Sequence, residues 1–424
     1  MSRWPTLDDS AASADLPILA VEAGRPPMVI CDLTQFYSPV SGGVKRYLME
    51  KVAYLRRQRP ECRHILVVPG PENSRRVEGL ATVYEVKSPL LSKTSRYRLL
   101  VDYARVRAIV RQEQPDIIES GDPYQLAWQA VDLGKELGIP VVGFYHSHFP
   151  EAYLRTMEKY AGKLAARLFL LLARRYARRL YNNFAATMVA SPALVQVLRD
   201  WGLRNLRQVD LGVNTAVFKP LVGSVEPLRQ KLDSPLDRRV LLYVGRLAQE
   251  KNVRRLFEAW RLLQHTDPAE FHLVIVGDGI MRGEVEALRE NFPPVTWIPY
   301  CEESTALAEI YQAADILVHP GLQETFGLVT LEAQACATPV VGIRGSYMDR
   351  IIFNDQQHWA DADTPQALAE AIRRLNALDL PALGRQASAV VLERYNWDAI
   401  FERILSIYQD AIRQHRGAHA NANH

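Results

Sequence analysis

Short apolar runs closed by Gly, Pro or polar residues recur along this chain, and between them apolar positions return at helical spacing. In the first half, strands are expected at Met28–Leu33, His64–Val68, Ile117-Ile118, Val141–Tyr145 and Thr187–Val189. Val44, Tyr47, Leu48, Val52 and Leu55 mark a helix from Val44, and further helices are expected over Tyr97–Gln112 and Tyr124–Leu137. The second half repeats the alternation, with strands at Val240–Val244, Leu273–Val276, Val295–Ile298, Ile316–Val318 and Pro339–Ile343, and helices from Val253 and from about Gly327. Runs this short and this apolar suit parallel strands covered on both faces, so the fold class is α/β with doubly wound sheets. The turn-forming Gly212, Asn214 and Pro220 put a boundary near residue 218. The expected layout is a loose arm over 1–26, a first domain over 27–218, a second over 219–394 and a closing segment over 395–424. That segment opens on an amphipathic helix, Tyr395–Arg413, and its polar tail from Gln414 is expected to lack structure.

Composition changes this picture little. A chain of 424 residues is comfortable as two domains of about 200 residues each. No segment reaches about 18 uninterrupted apolar residues, and the first residues carry no charged-then-apolar leader pattern. Cys31, Cys62, Cys301 and Cys336 are widely spaced without a CxxC pair, which suits a reduced, cytoplasmic protein. Charge is more informative. Residues 1–220 carry 31 Lys and Arg against 21 Asp and Glu, whereas the remainder carries 20 against 27. A basic first half points to an anionic partner. The basic helix Lys163–Leu180, with Arg167, Arg174 and Arg178, can lie on an anionic membrane surface, or be a core helix with a solvated basic face. No recognition motif or aromatic platform accompanies it, so nucleic acid is not expected.

The candidate chemistry gathers at strand ends. Between the strands of Asp315–Arg344, a helix starting near Gly327 leaves the amides of Gly327, Leu328 and Val329 outside its own ladder, where the macrodipole favours an anion. Glu324 stands before this point and Glu332 about one turn beyond, suiting a hydroxyl-rich phosphate such as a nucleotide sugar. A solvated loop carboxylate and a surface helix carboxylate are the plainer alternative. Arg246 and Lys251 follow the strand Val240–Val244 through a Gly-led turn, and two cations there can neutralise a diphosphate leaving group without a metal. Gly42 and Gly43 let backbone approach a phosphate, or simply permit a tight turn. His146 and His148 follow a buried strand; two ligands at that spacing make no metal site. Gly277, Gly279 and Gly283 approximate a dinucleotide fingerprint, but the last spacing is too long and the next strand ends without the ribose-binding acid, which argues against a nicotinamide enzyme.

Glu324-Thr-Phe-Gly-Leu-Val-Thr-Leu-Glu332 resembles the E-x7-E motif of the family 4 retaining glycosyltransferases. Gly245-Arg-Leu-Ala-Gln-Glu-Lys-Asn252 resembles the family's Gly-Arg-x4-Lys-Asn stretch, and Gly212-Val-Asn-Thr-Ala-Val-Phe-Lys-Pro220 its interdomain segment, with Asn214 replacing Asp. Tyr145-His-Ser-His-Phe-Pro150 is similar to a loop of lipid-modifying members, with His148 where Asp is common. Gly345-Ser-Tyr-Met-Asp-Arg350 departs from the usual Gly-Gly-x-Pro-Glu turn. The resemblance implies a GT-B architecture, two Rossmann-like domains facing a cleft, the last helix crossing back to the first domain. It implies transfer of a hexosyl group from a UDP- or GDP-sugar, with retained configuration and no required metal or other cofactor. Arg246 and Lys251 would bind the diphosphate, Glu332 the ribose and Glu324 the transferred sugar. His146 would lie near the reacting carbon. The basic half and the His146 loop favour a membrane lipid or lipid-linked acceptor over a soluble sugar. The expected place is the cytoplasm, peripheral at the inner membrane face. A non-catalytic nucleotide-sugar sensor and a sugar-nucleotide epimerase are the readings from other classes.

Overall fold

The computed structural model describes residues 28–35, 37, 43–91, 97–146, 149–301, 303–322, 326–346, 348 and 350–422; over 149–161 and 418–422 it describes the backbone only. The arm over 1–26, Gly42, His148, Glu324 and Asp349 lie outside the described residues. The chain divides into two compact units, residues 1–144 with 183–185 and 408–424, and residues 145–182 with 186–407.

The first unit opens with β1 (Val29–Leu33), α1 (Gly43–Gln58), β2 (Arg63–Gly70), β3 (Ser74–Glu78) and β4 (Ala81–Lys87). It continues with α2 (Tyr103–Glu113), β5 (Ile117–Ser120), α3 (Gln125–Leu137) and β6 (Val141–Phe144). The second begins with α4 (Phe149–Tyr181), β7 (Ala186–Val189), α5 (Pro192–Asp200) and β8 (Leu206–Gln208). Its own sheet comes from α6 (Glu226–Lys231), β9 (Arg239–Val244), α7 (Val253–Thr266), β10 (Phe271–Val276), α8 (Arg282–Asn291) and β11 (Val295–Ile298). Then come α9 (Ser304–Ala313), β12 (Ile316–Val318), α10 (Leu328–Ala335), β13 (Val340–Val341), α11 (Pro365–Asn376), α12 (Leu380–Arg394) and α13 (Trp397–Ala422). One sheet runs β3-β4-β2-β1-β5-β6-β7-β8 and the other β11-β10-β9-β12-β13.

Three of the differences from expectation have a local cause. The charged stretch Ser74–Glu78 shows no apolar alternation, yet it pairs antiparallel with β4 as an edge strand, tied by Arg76 and Ser74 to Glu85. The helix expected from Tyr97 starts at Tyr103, because Asp102 caps it by accepting the Arg105 amide at 3.0 Å while Arg98 bridges back to Leu90. The tail from Gln414, expected to lack structure, continues α13 to Ala422. Ala411 and Ile412 are buried just before it, and Arg416 within it pairs with Asp116 at 3.0 Å.

Register explains a buried charged cluster in the first unit. Parallel pairing of β1 with β5 sets Asp32 beside Glu119. Lys51, from α1, donates to Asp32 Oδ1 and to Tyr408 Oη, each at 2.9 Å, and stands 3.2 Å from Glu119 Oε2. His64 Nε2 meets the other Asp32 oxygen, Tyr47 donates to Glu119 at 3.0 Å, and Tyr408 of α13 donates to the same carboxylate. Burial works against the Asp32 charge, but Lys51 and His64 outweigh it and hold its carboxyl down at about 2. Burial pushes the Glu119 carboxyl up, with Lys51 opposing.

In the second unit's sheet every adjacent pair is parallel, and the strand order reverses between β9 and β12. The core against this sheet holds Phe257, Trp260, Leu273, Ile275 and Ile372, all fully buried. The glycines after β10 serve close packing. A Cβ at Gly277, where φ is +141°, would lie 1.9 Å from the Gly245 carbonyl oxygen, and one at Gly279 would lie 2.4 Å from that of Leu247. They bring the loops after β9 and β10 into contact.

His272 on β10 makes a pH-dependent contribution. The Thr296 hydroxyl donates to the Leu232 carbonyl at 2.9 Å, so its oxygen accepts from His272 Nε2–H, also at 2.9 Å. Nδ1 is buried with no acceptor, and a proton there would be unsatisfied. Burial, with Arg238 and Arg229 nearby, lowers the imidazole from its ordinary 6.5 to about 4. The unfolded chain therefore takes the proton first, and stability falls as pH drops from 6.5 towards 4. Between pH 7 and pH 5 this residue alone should cost about 2 kcal/mol. Urea denaturation at both values checks it, and His272→Gln should lose that share of the dependence.

Candidate active site

Ligands of open α/β sheets bind beyond the carboxyl ends of the strands where the order reverses, here outside β9 and β12. The register Ile316↔Leu241 and Leu317↔Leu242 brings the loop after β9 beside the loop after β12. Arg246 and Lys251 lie on the first, and the residues leading to α10 on the second. Asn252 joins the two, its side-chain amide donating to the Pro320 carbonyl at 3.0 Å and to Asp363 at 2.9 Å. The end of the Gly245–Asn252 stretch is thus a loop fastener, a role that composition did not reveal.

Within the first loop, Tyr243 donates to the Arg246 carbonyl at 2.9 Å, and residues 249–251 form a single 3-10 turn ending at a left-handed Asn252. Arg246 is 61% exposed and pairs with Glu250 at 3.0 Å, one turn on. An exposed pair of this kind is weak and salt-screened, so the guanidinium can turn to a phosphate at little cost. Lys251 is half-buried.

α10 begins at Gly327, whose φ of +79° puts it in the left-handed region, and no side chain caps the helix. A Cβ at this position would meet Met348 Cε at 2.2 Å and Ile351 Cδ1 at 3.2 Å. Glycine is required twice over, by backbone sign and by packing. The first-turn amides of Leu328 and Val329 follow directly. Glu332 is not the surface helix residue of the plainer alternative: it is 2% exposed and accepts from Tyr311 Oη of α9 at 3.0 Å. Tyr311 is a partner that sequence spacing could not supply.

His146 follows β6 and is half-buried, after Tyr145, whose ring packs on Tyr181 at 5.3 Å. Gly43 is the first residue of α1, in the other unit. The second unit therefore carries the candidate residues Arg246, Lys251, Gly327, Leu328, Val329 and Glu332 on the loops after β9 and β12 and on α10. The sequence does carry an Asp-x-Asp pair, Asp361-Ala362-Asp363, although no such motif is expected of a metal-free site. Both carboxylates are engaged by cations, Asp361 by Arg344 and Arg374 and Asp363 by Arg255. Among the described residues, no three His, Cys, Asp or Glu side chains are placed to hold a metal ion, and no helix is long and apolar enough to cross a membrane.

Two Rossmann-type domains of this kind define the GT-B fold of glycosyltransferases. Residues 41–217 match the model described as Glycosyltransferase Family 4, and residues 224–380 the model described as Glycosyl transferases group 1. The chain belongs to the family 4 glycosyltransferases and is an enzyme of that kind. It is 27% identical over 350 residues to the GDP-mannose-dependent alpha-(1-6)-phosphatidylinositol dimannoside mannosyltransferase of Mycobacterium tuberculosis, a match that spans 82% of this chain and 87% of that relative. To the sulfoquinovosyl transferase SQD2 of Arabidopsis thaliana it is 25% identical over 413 residues, 94% of this chain and 76% of the relative. Sucrose-phosphate synthase from Thermosynechococcus elongatus is structurally similar, with a TM-score of 0.73 at 20% identity over 91% of this chain and 100% of that one. That last likeness concerns the fold.

Proposed function

We propose that the protein transfers a hexosyl group from a UDP- or GDP-sugar to a hydroxyl of a membrane lipid or lipid-linked glycan, retaining the anomeric configuration. The observation that carries the donor half is the pairing of β9 with β12, which sets the loop bearing Arg246 and Lys251 beside the loop that leads to α10. These groups take the charge of the departing diphosphate, the work of a preorganised electrostatic site, without a required metal. The bond from the anomeric carbon to the diphosphate oxygen breaks as the acceptor oxygen attacks from the same face. The acceptor's proton passes to the leaving phosphate oxygen, giving glycoside and nucleoside diphosphate. Glu332 serves the ribose, Glu324 the sugar and His146 the region of the reacting carbon.

The lipid half rests on α4. Past a break at Gly162, where φ is +81°, its small residues Ala166, Ala173 and Ala177 face inward. Four of its leucines do the reverse: Leu164, Leu168, Leu171 and Leu172 are 81%, 57%, 62% and 57% exposed. They form one stripe at helical spacing, with the exposed Lys163, Arg167, Arg174, Arg175, Arg178 and Arg179 around it. Such a face suits the boundary of an anionic bilayer. The name of the first relative, a phosphatidylinositol dimannoside mannosyltransferase, agrees with a lipid acceptor.

The test is a thermal-shift panel of UDP, GDP and ADP sugars, followed by sedimentation with phosphatidylglycerol or phosphatidylcholine vesicles. Stabilisation by one nucleotide class and pelleting only with anionic vesicles is the expected result. No response to any nucleotide sugar sinks the donor assignment, and activity indifferent to vesicles favours a soluble acceptor.

A further inference from the structure

Arg350 ends the turn that departs from the family's usual pattern, and its surroundings give it a role that the donor site does not include. Its Nη1 lies 3.0 Å from Asp210 Oδ1, and its guanidinium lies over the Phe326 ring, 4.9 Å from the centroid. Nε and Nη2 are buried and make no hydrogen bond to the described residues, so the carboxylate and the ring are what locate the group. Both anchors are themselves held. Phe326 is 3% exposed and packs towards Tyr395, which in turn packs on Phe353. Asp210 also feels the charge of Arg403, and three residues on, Val213 donates to the Tyr395 carbonyl at 2.7 Å.

The consequence falls on Gly327. Phe326 precedes it directly, and Met348 and Ile351, on either side of Arg350 in the chain, occupy the space where its Cβ would be. A left-handed residue with no side chain has nothing of its own to fix its direction. Its neighbours must do so, and they are the residues that Arg350 ties to the 210–213 segment.

We propose that Arg350 is a positioning residue: paired with Asp210 and laid over Phe326, it fixes the turn at Gly327 and so aims the amides of 327–329. The proposal rests on the donor-site reading above for its consequence in binding, though not for the brace itself. A guanidinium is suited to this work because its planar fork can stack on a ring and pair with a carboxylate at once.

The experiment titrates UDP and GDP into wild type, Arg350→Leu, Asp210→Asn, Arg350→Lys and the exchanged pair Asp210→Arg with Arg350→Asp. Amide hydrogen exchange is followed over 326–331. For whichever diphosphate the wild type binds, Arg350→Leu and Asp210→Asn should each weaken Kd about tenfold. Exchange at 326–331 should rise while β9 and β10 keep their protection. Arg350→Lys, which keeps the pair but stacks poorly, should fall between, and the exchanged pair should recover part of the loss. A general rise in exchange across the second unit would mean a purely structural residue, and unchanged affinity with unchanged local exchange would remove the brace. Wild type that binds neither diphosphate would overturn the donor site instead, and the exchange data would still judge the brace.

Discussion

Lys51→Met is expected to cost about 3–5 kcal/mol of stability, the range for stripping one partner from a buried charge cluster. Lys51 is 2% exposed and faces Asp32, Glu119, Tyr408 and the Tyr47 ring, the last with its centroid 4.7 Å from Nζ. Methionine fills much of the volume and removes the charge, so the loss is electrostatic more than steric. Asp32 would keep His64, but Glu119 would keep only the hydroxyls of Tyr47 and Tyr408, and two acids set side by side by strand register would lie buried without their cation. Adding Asp32→Asn and Glu119→Gln should restore much of the loss, because polar groups left without a charge cost less to bury. Chemical denaturation of the single and triple variants checks this. A single-variant loss below about 1 kcal/mol would mean that the acids are already neutral or hydrated.

Lys251→Ala should lower the turnover of whichever UDP- or GDP-sugar the enzyme uses by about 100- to 1000-fold, the usual effect of removing one group that stabilises a leaving charge. The melting temperature without ligand should change far less than turnover, because Asn252 fastens this loop to Pro320 and Asp363. Arg246→Ala should act in the same direction with equally little effect on folding, its only described ion pair being the exposed one to Glu250. Steady-state kinetics with product nucleotide as the readout, beside calorimetric melting, separates the two effects. Undiminished turnover in both variants would take the diphosphate away from these cations.

Much of the second unit was legible beforehand. Val240–Val244, Leu273–Val276 and Ile316–Val318 read as strands because a buried parallel strand is apolar on both faces, and that pattern survives in the letters alone. The glycine-led turns were legible too, as were the cations beyond β9. The edge strand Ser74–Glu78 was not, since a strand held by Arg76 and Ser74 to Glu85 needs no apolar alternation. Helical continuation past Gln414 was hidden for a related reason: polar residues in the last turns are supported by an ion pair to Asp116, about 300 positions away in the chain.

Local pattern thus decided which segments are strands and helices, and it placed Arg246, Lys251 and Gly327 at strand ends. Tertiary structure alone decided which polar groups are enclosed. Nothing in the spacing of Lys51 and Tyr408, 357 residues apart, announces that they share a hydrogen bond. Nor does the periodicity of α4 say that Ala166, Ala173 and Ala177 face inward while Leu164, Leu168, Leu171 and Leu172 face outward. Glu332 looks like an ordinary helix carboxylate until Tyr311 is packed against it, and Arg350 looks like a surface cation until Asp210 and Phe326 close on it. The reason is physical. Periodicity reports the apolar side of a single element, whereas burial and charge pairing depend on the surfaces that other elements bring to it, and those are set only when the sheets close.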